Sequence, residues 1–144
     1  MEFKSIVGSF GNNLNNRVEE ALGNATDLLK AYREGAFPVS PPPWLGYLIL
    51  MEEAPQSTKA VRVAEPHFPV RDEFRAASYE KRCLLLCQKL VRERLYDAAC
   101  FLMSDRTRGR KGVFREPAPD LSFRSFVASL LGRAAEYALR RPRR

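Results

Sequence analysis

Glu2-Phe3-Lys4-Ser5-Ile6-Val7, then Gly8-Ser9-Phe10-Gly11-Asn12-Asn13, then Leu14, Val18, Leu22, Ala25, Leu29 and Tyr32 at steps of three and four: this opening decides the fold. The first six residues alternate weakly, as a strand does that starts almost at the first residue. The glycine- and asparagine-rich run reads as a turn. The spacing after it predicts a helix from about Leu14 to Glu34, with Asn12 or Asn13 as its cap and Gly35 as its stop. Beyond a stiff loop, Phe37-Pro38-Val39-Ser40-Pro41-Pro42-Pro43, lies Trp44 to Glu52. That segment is apolar on both faces, the pattern of a central strand covered on either side.

The rest of the chain reads as mostly helical. Glu53 to Pro69 is a connection with Pro55, Pro66 and Pro69, in which Ala60 to Val63 has the character of a short strand. Leu84, Cys87, Val91, Leu95, Ala98 and Leu102 form one stripe, which predicts a long helical region over about Ala76 to Ser104, with a possible break near Arg94. Asp105 to Gly112 is a basic, glycine-containing loop. A last helix is expected over Ser122 to Arg140, with Asp120 or Ser122 as its cap. Its predicted core face is Phe123, Phe126, Val127, Leu130, Ala134 and Tyr137, and the tail Arg140-Arg141-Pro142-Arg143-Arg144 is expected to fray. The fold class is therefore α/β, or α+β: a core followed by a helical, basic second half. At 144 residues the chain is one domain's worth.

Composition narrows the function. Hydrophobic residues make up 45% and charged residues 28%, a globular profile. The longest apolar run, Trp44 to Met51, is far short of the roughly 20 residues that a membrane-spanning helix needs. No basic stretch followed by an apolar run opens the chain, so no secretion signal is expected. Cys83, Cys87 and Cys100 are odd in number and read as reduced thiols of a cytoplasmic protein. The net charge of +7 is unevenly spread: residues 1–72 carry −2 and residues 73–144 carry +9. A basic half of this kind suits a polyanion, of which nucleic acid is the commonest.

Four constellations are candidates for chemistry. In a strand, Glu2 and Lys4 project from one face. A carboxylate can ligate Mg²⁺, and a neighbouring lysine can orient or help deprotonate a water and stabilise charge near a phosphate. By itself the spacing is weak, because most Glu-x-Lys pairs are solvated strand faces. Asn12, Asn13, Asn15 and Asn16 with Arg17 are residue types that read bases or grip phosphates, although the same cluster also makes a capping turn. Glu19 and Glu20 suit the first turns of a helix, with a metal role for either as the minor alternative. Arg106, Arg108, Arg110 and Lys111, with Gly109 and Gly112 between and after them, suit DNA backbone contact. Cys83 and Cys87, one helical turn apart, are read as buried thiols rather than metal ligands. The chain has no glycine-rich phosphate loop ending in Lys-Ser/Thr and no Gly-x-Ser-x-Gly elbow.

Taken together, several of these segments resemble one family. Glu2-Phe3-Lys4-Ser5, Val7 to Asn13, Asn15-Asn16-Arg17, Glu19-Glu20-Ala21, Tyr32 to Gly35, Trp44 to Leu48, Glu65 to Phe68, Leu90 to Leu102 and Asp120 to Phe123 are similar, in order, to the XhoI-type type II restriction endonucleases. The resemblance implies Mg²⁺-dependent cleavage of double-stranded DNA at a palindrome, CTCGAG in the best-known members. It implies Glu2 as the metal-binding carboxylate and Lys4 as the lysine beside the attacking water. A palindromic site implies a homodimer. The element order fits the C-terminal part of a PD-(D/E)xK nuclease core, with residues 1–52 as the end of the core and 70–140 as a helical region that contacts DNA. That core places a second metal-binding aspartate on a preceding strand, so a chain that starts at Glu2 is expected to be incomplete at its N-terminus and catalytically impaired. The alternatives are a DNA-binding or interaction module without catalysis, and a generic helical protein whose charge is incidental.

Overall fold

The computed structural model describes residues 1–140, and the arginine-rich tail beyond them lies outside the described residues. Three strands, β1 (Glu2–Ile6), β2 (Gly46–Glu52) and β3 (Ala98–Ser104), form one sheet in the order β1-β2-β3. Both pairings are parallel. Parallel neighbours cannot be joined by a tight hairpin, so each connection carries a helix. The first is α1 (Phe10–Arg33) and the second contains α2 (Pro55–Thr58) and α3 (Tyr79–Arg92). After β3 come α4 (Arg106–Gly109) and α5 (Phe123–Arg140). The α/β class read from the sequence holds.

The register sorts the side chains into two faces. Glu2, Tyr47 and Ala99 share one row, followed by Lys4, Ile49 and Phe101, then Ile6, Met51 and Met103. The apolar members of these rows pack with Phe10, Leu14, Ala21 and Ala25 of α1 and Cys83, Cys87 and Leu90 of α3 in the main core. The alternate residues Leu48, Cys100 and Leu102 meet Phe126 of α5 and Trp44 in a smaller cluster. The central strand β2 is thus covered on both faces, as its composition predicts. Gly46 is required where it enters the sheet: a Cβ there would lie 2.3 Å from the Trp44 ring and 2.9 Å from Phe126.

The start of the first helix differs from expectation. Helix α1 starts at Phe10, not Leu14, and its cap is neither Asn12 nor Asn13. Gly8 and Ser9 make the whole turn in left-handed geometry. Phe10 then anchors the first helical turn, stacked on Tyr79 with ring centroids 6.0 Å apart. Asn13 sits within the helix and donates from its side chain to the Gly8 carbonyl at 2.9 Å.

The largest correction is the long helix expected over Ala76 to Ser104. Helix α3 ends at Arg92, and residues 98–104 are the third strand. The stop is a Schellman motif: Leu95 N–H donates to the Leu90 carbonyl at 3.0 Å and Arg94 N–H to that of Val91 at 3.0 Å. Arg94 takes φ +57° to close it. Helix α1 ends in the same motif, with Ala36 N–H on the Ala31 carbonyl and Gly35 N–H on that of Tyr32. The apolar stripe continued past Arg94 because a strand buried on both faces, like a helix face, is rich in apolar residues.

The smaller corrections follow burial. Residues 60–63 form no strand, and part of the basic loop is the short helix α4. Of the six residues predicted as the core face of α5, only Phe126 is buried. Phe123 and Tyr137 are about half exposed. Phe126 packs edge-on to Trp44, whose indole N–H donates to the Ser129 hydroxyl at 3.1 Å. Ser122 caps the helix by accepting from Ser125 N–H at 3.3 Å.

A left-handed conformation costs a non-glycine residue about 1–2 kcal/mol. Replacing Arg94 by glycine should therefore raise the unfolding free energy by about 1 kcal/mol, read from the denaturant midpoint at constant slope. A lower midpoint would mean that the arginine side chain itself holds the turn.

Candidate active site

The two-residue spacing of Glu2 and Lys4 does what a strand makes it do. Both side chains leave the same face of β1, with Lys4 Nζ 3.3 Å from Glu2 Oε2. That face looks onto α1, where Arg17, Glu20 and Asn24 succeed one another at steps of three and four. Lys4 Nζ lies 2.9 Å from Glu20 Oε2, and Arg17 Nη1 lies 2.8 Å from the same oxygen. Asn24 donates to Glu2 Oε2 at 3.1 Å. The other Glu2 oxygen accepts from the Tyr96 hydroxyl at 2.5 Å. A carboxylate, an ammonium, a second carboxylate and a guanidinium therefore alternate in one cluster, held from above by α1 and from behind by Tyr96.

The electrostatics follow from these contacts. The Glu20 hydrogen bond raises the pKa of Lys4 above its ordinary 10.5, aided by Glu2 and opposed by partial burial. Lys4 is therefore an ammonium at neutral pH. The same hydrogen bond from Lys4 holds the Glu20 carboxyl below its ordinary value, against desolvation. Burial, and then the hydrogen bond to Glu2, push the Tyr96 phenol well up, so it remains a donor. Behind it Tyr47 is fully buried, edge-on to Tyr96 at 5.4 Å, and its hydroxyl has no hydrogen-bond partner among the described residues.

Magnesium takes oxygen ligands and is usually held by one or two carboxylates, with water and phosphate oxygens completing the shell. Glu2 and Glu20, both at Lys4, are donors of that type. No three His, Cys, Asp or Glu side chains converge into a cage among the described residues. The cysteines take no part. All three are free and buried, and burial pushes Cys100 up to about 12 and Cys83 well above its ordinary value.

The sequence-predicted DNA-binding residues are not all brought together. Arg17 joins the Glu2–Lys4 cluster through Glu20. Asn12 and Asn16 lie exposed on the first turns of α1, and Asn13 is spent on the Gly8 carbonyl. Arg106, Arg108, Arg110 and Lys111 sit past the C-terminal end of β3, whereas Glu2 begins β1. The parallel register puts Glu2 level with Ala99, five residues of strand, or about 17 Å, from the Ser104 end of β3. Arg106 is ion-paired to Glu52. Arg108 pairs with Asp105 and, at 3.2 Å, with Glu53. Arg115, which the sequence did not single out, bridges Glu53 and Glu80 at 2.9 Å each. Arg110 and Lys111 are exposed and have no ion-pair partner among the described residues.

Comparison with known proteins gives this geometry its family. The model of the restriction endonuclease XhoI family matches residues 1–116. The chain belongs to the XhoI restriction endonuclease family. The match includes Glu2, Lys4, Glu20 and Tyr96, and leaves out α5. Among similar proteins, the type II restriction enzyme BstVI of Geobacillus stearothermophilus is 58% identical over 139 residues, 96% of this chain and 62% of its own length. The type II restriction enzyme XhoI of Xanthomonas vasicola is 53% identical over 92 residues, 63% of this chain and 37% of its own. AbrI of Azospirillum brasilense, also a type II restriction enzyme, is 56% identical over 77 residues, 53% of this chain and 35% of its own. The chain thus spans less than two thirds of the length of these relatives. No solved structure matches it.

Asp105 gives a direct check on the basic loop of this XhoI family member. Its carboxylate accepts from the Arg108 side chain and from Arg108 and Thr107 N–H, which together hold it below its ordinary 3.8 against desolvation. A lowered carboxylate stabilises the fold above the ordinary value and loses that contribution as the pH falls through the native one. Arg108→Ala should return the Asp105 titration toward its ordinary range in carboxyl-carbon NMR. An unmoved titration would mean that the backbone donors alone set it.

Proposed function

We propose that this chain carries the Glu2–Lys4 half-site and a DNA-contacting surface of a type II restriction endonuclease that makes Mg²⁺-dependent double-strand cuts at a palindrome, CTCGAG by its family. The reading extends to a PD-(D/E)xK core, a homodimer whose two-fold axis matches that of the site, and work in the cytoplasm. Residues 1–52 serve as the end of the core and 70–140 as the part that contacts DNA, in one domain. Among the described residues no helix is long and apolar enough to cross a membrane. One observation carries the catalytic part: Glu2 and Lys4 lie 3.3 Å apart on a single strand face, with Glu20 2.9 Å from Lys4.

Each residue has a task that its surroundings support. Glu2, with Glu20 nearby, is the carboxylate that would hold Mg²⁺, whose chemistry is to neutralise phosphate charge and to lower the pKa of a bound water. Lys4, kept an ammonium by Glu20, offers hydrogen bonds and positive charge to a phosphate in which negative charge grows. As an ammonium it can also orient a water by hydrogen bonding. Arg17 offsets Glu20, so the cluster is not left strongly anionic where a phosphate must approach. In the basic loop Arg110 and Lys111 are open to phosphates, whereas Arg106 and Arg108 must first leave Glu52, Glu53 and Asp105.

The exposed Arg110 and Lys111, in a chain whose candidate site gathers two carboxylates among the described residues, also favour a second reading: a module that binds DNA without cutting it. One set of measurements separates the two. The purified chain should bind duplex DNA with an affinity that falls steeply with salt. Arg106, Arg108 and Arg110 replaced by alanine should weaken binding to all sequences about equally and flatten the salt slope by about 0.9 for each phosphate that is no longer neutralised. The chain by itself is expected to cut CTCGAG duplexes poorly or not at all with Mg²⁺. Cutting that Lys4→Ala abolishes would establish the catalytic reading and refute the expected impairment. Binding that salt leaves unchanged would sink both readings.

A further inference from the structure

We propose that Tyr96 is a positioning residue for Glu2: its hydroxyl, together with the Asn24 amide, locks the Glu2 carboxylate in the orientation that receives a divalent cation. The inference rests on the reading of Glu2 as a metal ligand and adds to it the group that sets the ligand's geometry.

Glu2 opens an edge strand of five residues and is only partly buried. A glutamate there has three side-chain torsions to fix, and the strand backbone restricts only the first of them. Its neighbours do so instead. Tyr96 donates to Oε1 at 2.5 Å; Asn24, at 3.1 Å, and Lys4, at 3.3 Å, hold Oε2. A hydrogen bond to an ionised oxygen is among the stronger kinds. The Ala21 carbonyl of α1, 3.0 Å from the same phenol oxygen, is a second and longer acceptor for its one proton.

Tyr96 is in turn fixed from every side. It is 3% exposed and packs edge-on to Tyr47 at 5.4 Å. Its place in the chain is set by the Schellman stop of α3, and its own N–H donates to the Leu90 carbonyl at 3.1 Å. On its other side Asp97 is tied to Leu45, by Leu45 N–H to the Asp97 carboxylate at 2.7 Å and by Asp97 N–H to the Leu45 carbonyl at 2.8 Å. The hydroxyl is thus delivered by a rigid corner between α3 and β3. The neighbouring Tyr47 is buried as well, and its hydroxyl has no hydrogen-bond partner among the described residues. The Tyr47 hydroxyl touches neither Glu2 nor another partner among the described residues, which makes Tyr47→Phe the control for loss of a buried phenol oxygen.

The test measures Mn²⁺ dissociation constants by paramagnetic relaxation on four forms of this chain: wild type, Tyr96→Phe, Asn24→Ala and Tyr47→Phe. Removing a group that orients a metal ligand commonly costs about 10–100-fold in affinity. Tyr96→Phe should fall in that range, exposed Asn24→Ala should weaken binding several-fold without threatening the fold, and Tyr47→Phe should bind as wild type. A downfield, slowly exchanging hydroxyl proton should be present in wild type and Tyr47→Phe and absent from Tyr96→Phe. Equal affinity in Tyr96→Phe, or tighter binding, would overturn the positioning role while leaving Glu2 a metal ligand. No Mn²⁺ broadening near Glu2 in the wild type would overturn the metal reading, and this inference with it.

Discussion

Parallel pairing is the constraint on which the rest depends. Two parallel strands need a crossover, and two successive crossovers in the order β1-β2-β3 leave α1 and α3 side by side over one face. That face must then be apolar wherever the helices cover it, which is why Ile6, Tyr47, Ile49, Met51, Phe101 and Met103 are all fully buried. Toward the start of β1 that cover thins, and two polar residues replace apolar ones on the same face. Glu2 and Lys4 are the continuation of a core row into a place where charge is tolerated, because α1 brings Arg17, Glu20 and Asn24 to meet it.

The sequence revealed whatever is local. Strand β1 and the shared face of Glu2 and Lys4 follow from a period of two. Strand β2 announced itself by being apolar on both faces, and Gly35 marked a helix end because glycine is the residue that adopts a positive φ at no cost. The equivalent end at Arg94 was only a possible break, since nothing in an arginine signals the same backbone. Strand β3 was therefore read as more helix. The stripe of Arg17, Glu20 and Asn24 was present in the spacing and could have been read as a polar face turned inward. Tyr96 could not. Its partner lies 94 residues away, and only the closed sheet brings the two together.

Charge was legible in amount but not in arrangement. The basic loop was visible as four cations in six residues. Its neutralisation by Glu52 and Glu53, from the end of β2, and by Asp105 depended on which strand ends lie side by side. This changes what the loop can do. Two of its arginines are engaged within the molecule, and a polyanion would compete with carboxylates for them. Arg110 and Lys111 are open to meet it first. The loop and Glu2 also lie toward opposite ends of the strands.

The tie between Glu2 and Tyr96 has a consequence for how the protein is made. Glu2 is synthesised well before its phenol, and its carboxylate is not fixed until β2 has paired with β1 and the corner after α3 has closed. At about 5–20 residues per second, the 94 residues from one to the other take roughly 5–20 s to emerge. For the first part of that interval β1 has no β2 to pair with, and for all of it Glu2 has no phenol. The cluster can therefore be complete only once everything from β1 to the start of β3 has been made, and the nascent protein passes through that stretch of synthesis without it.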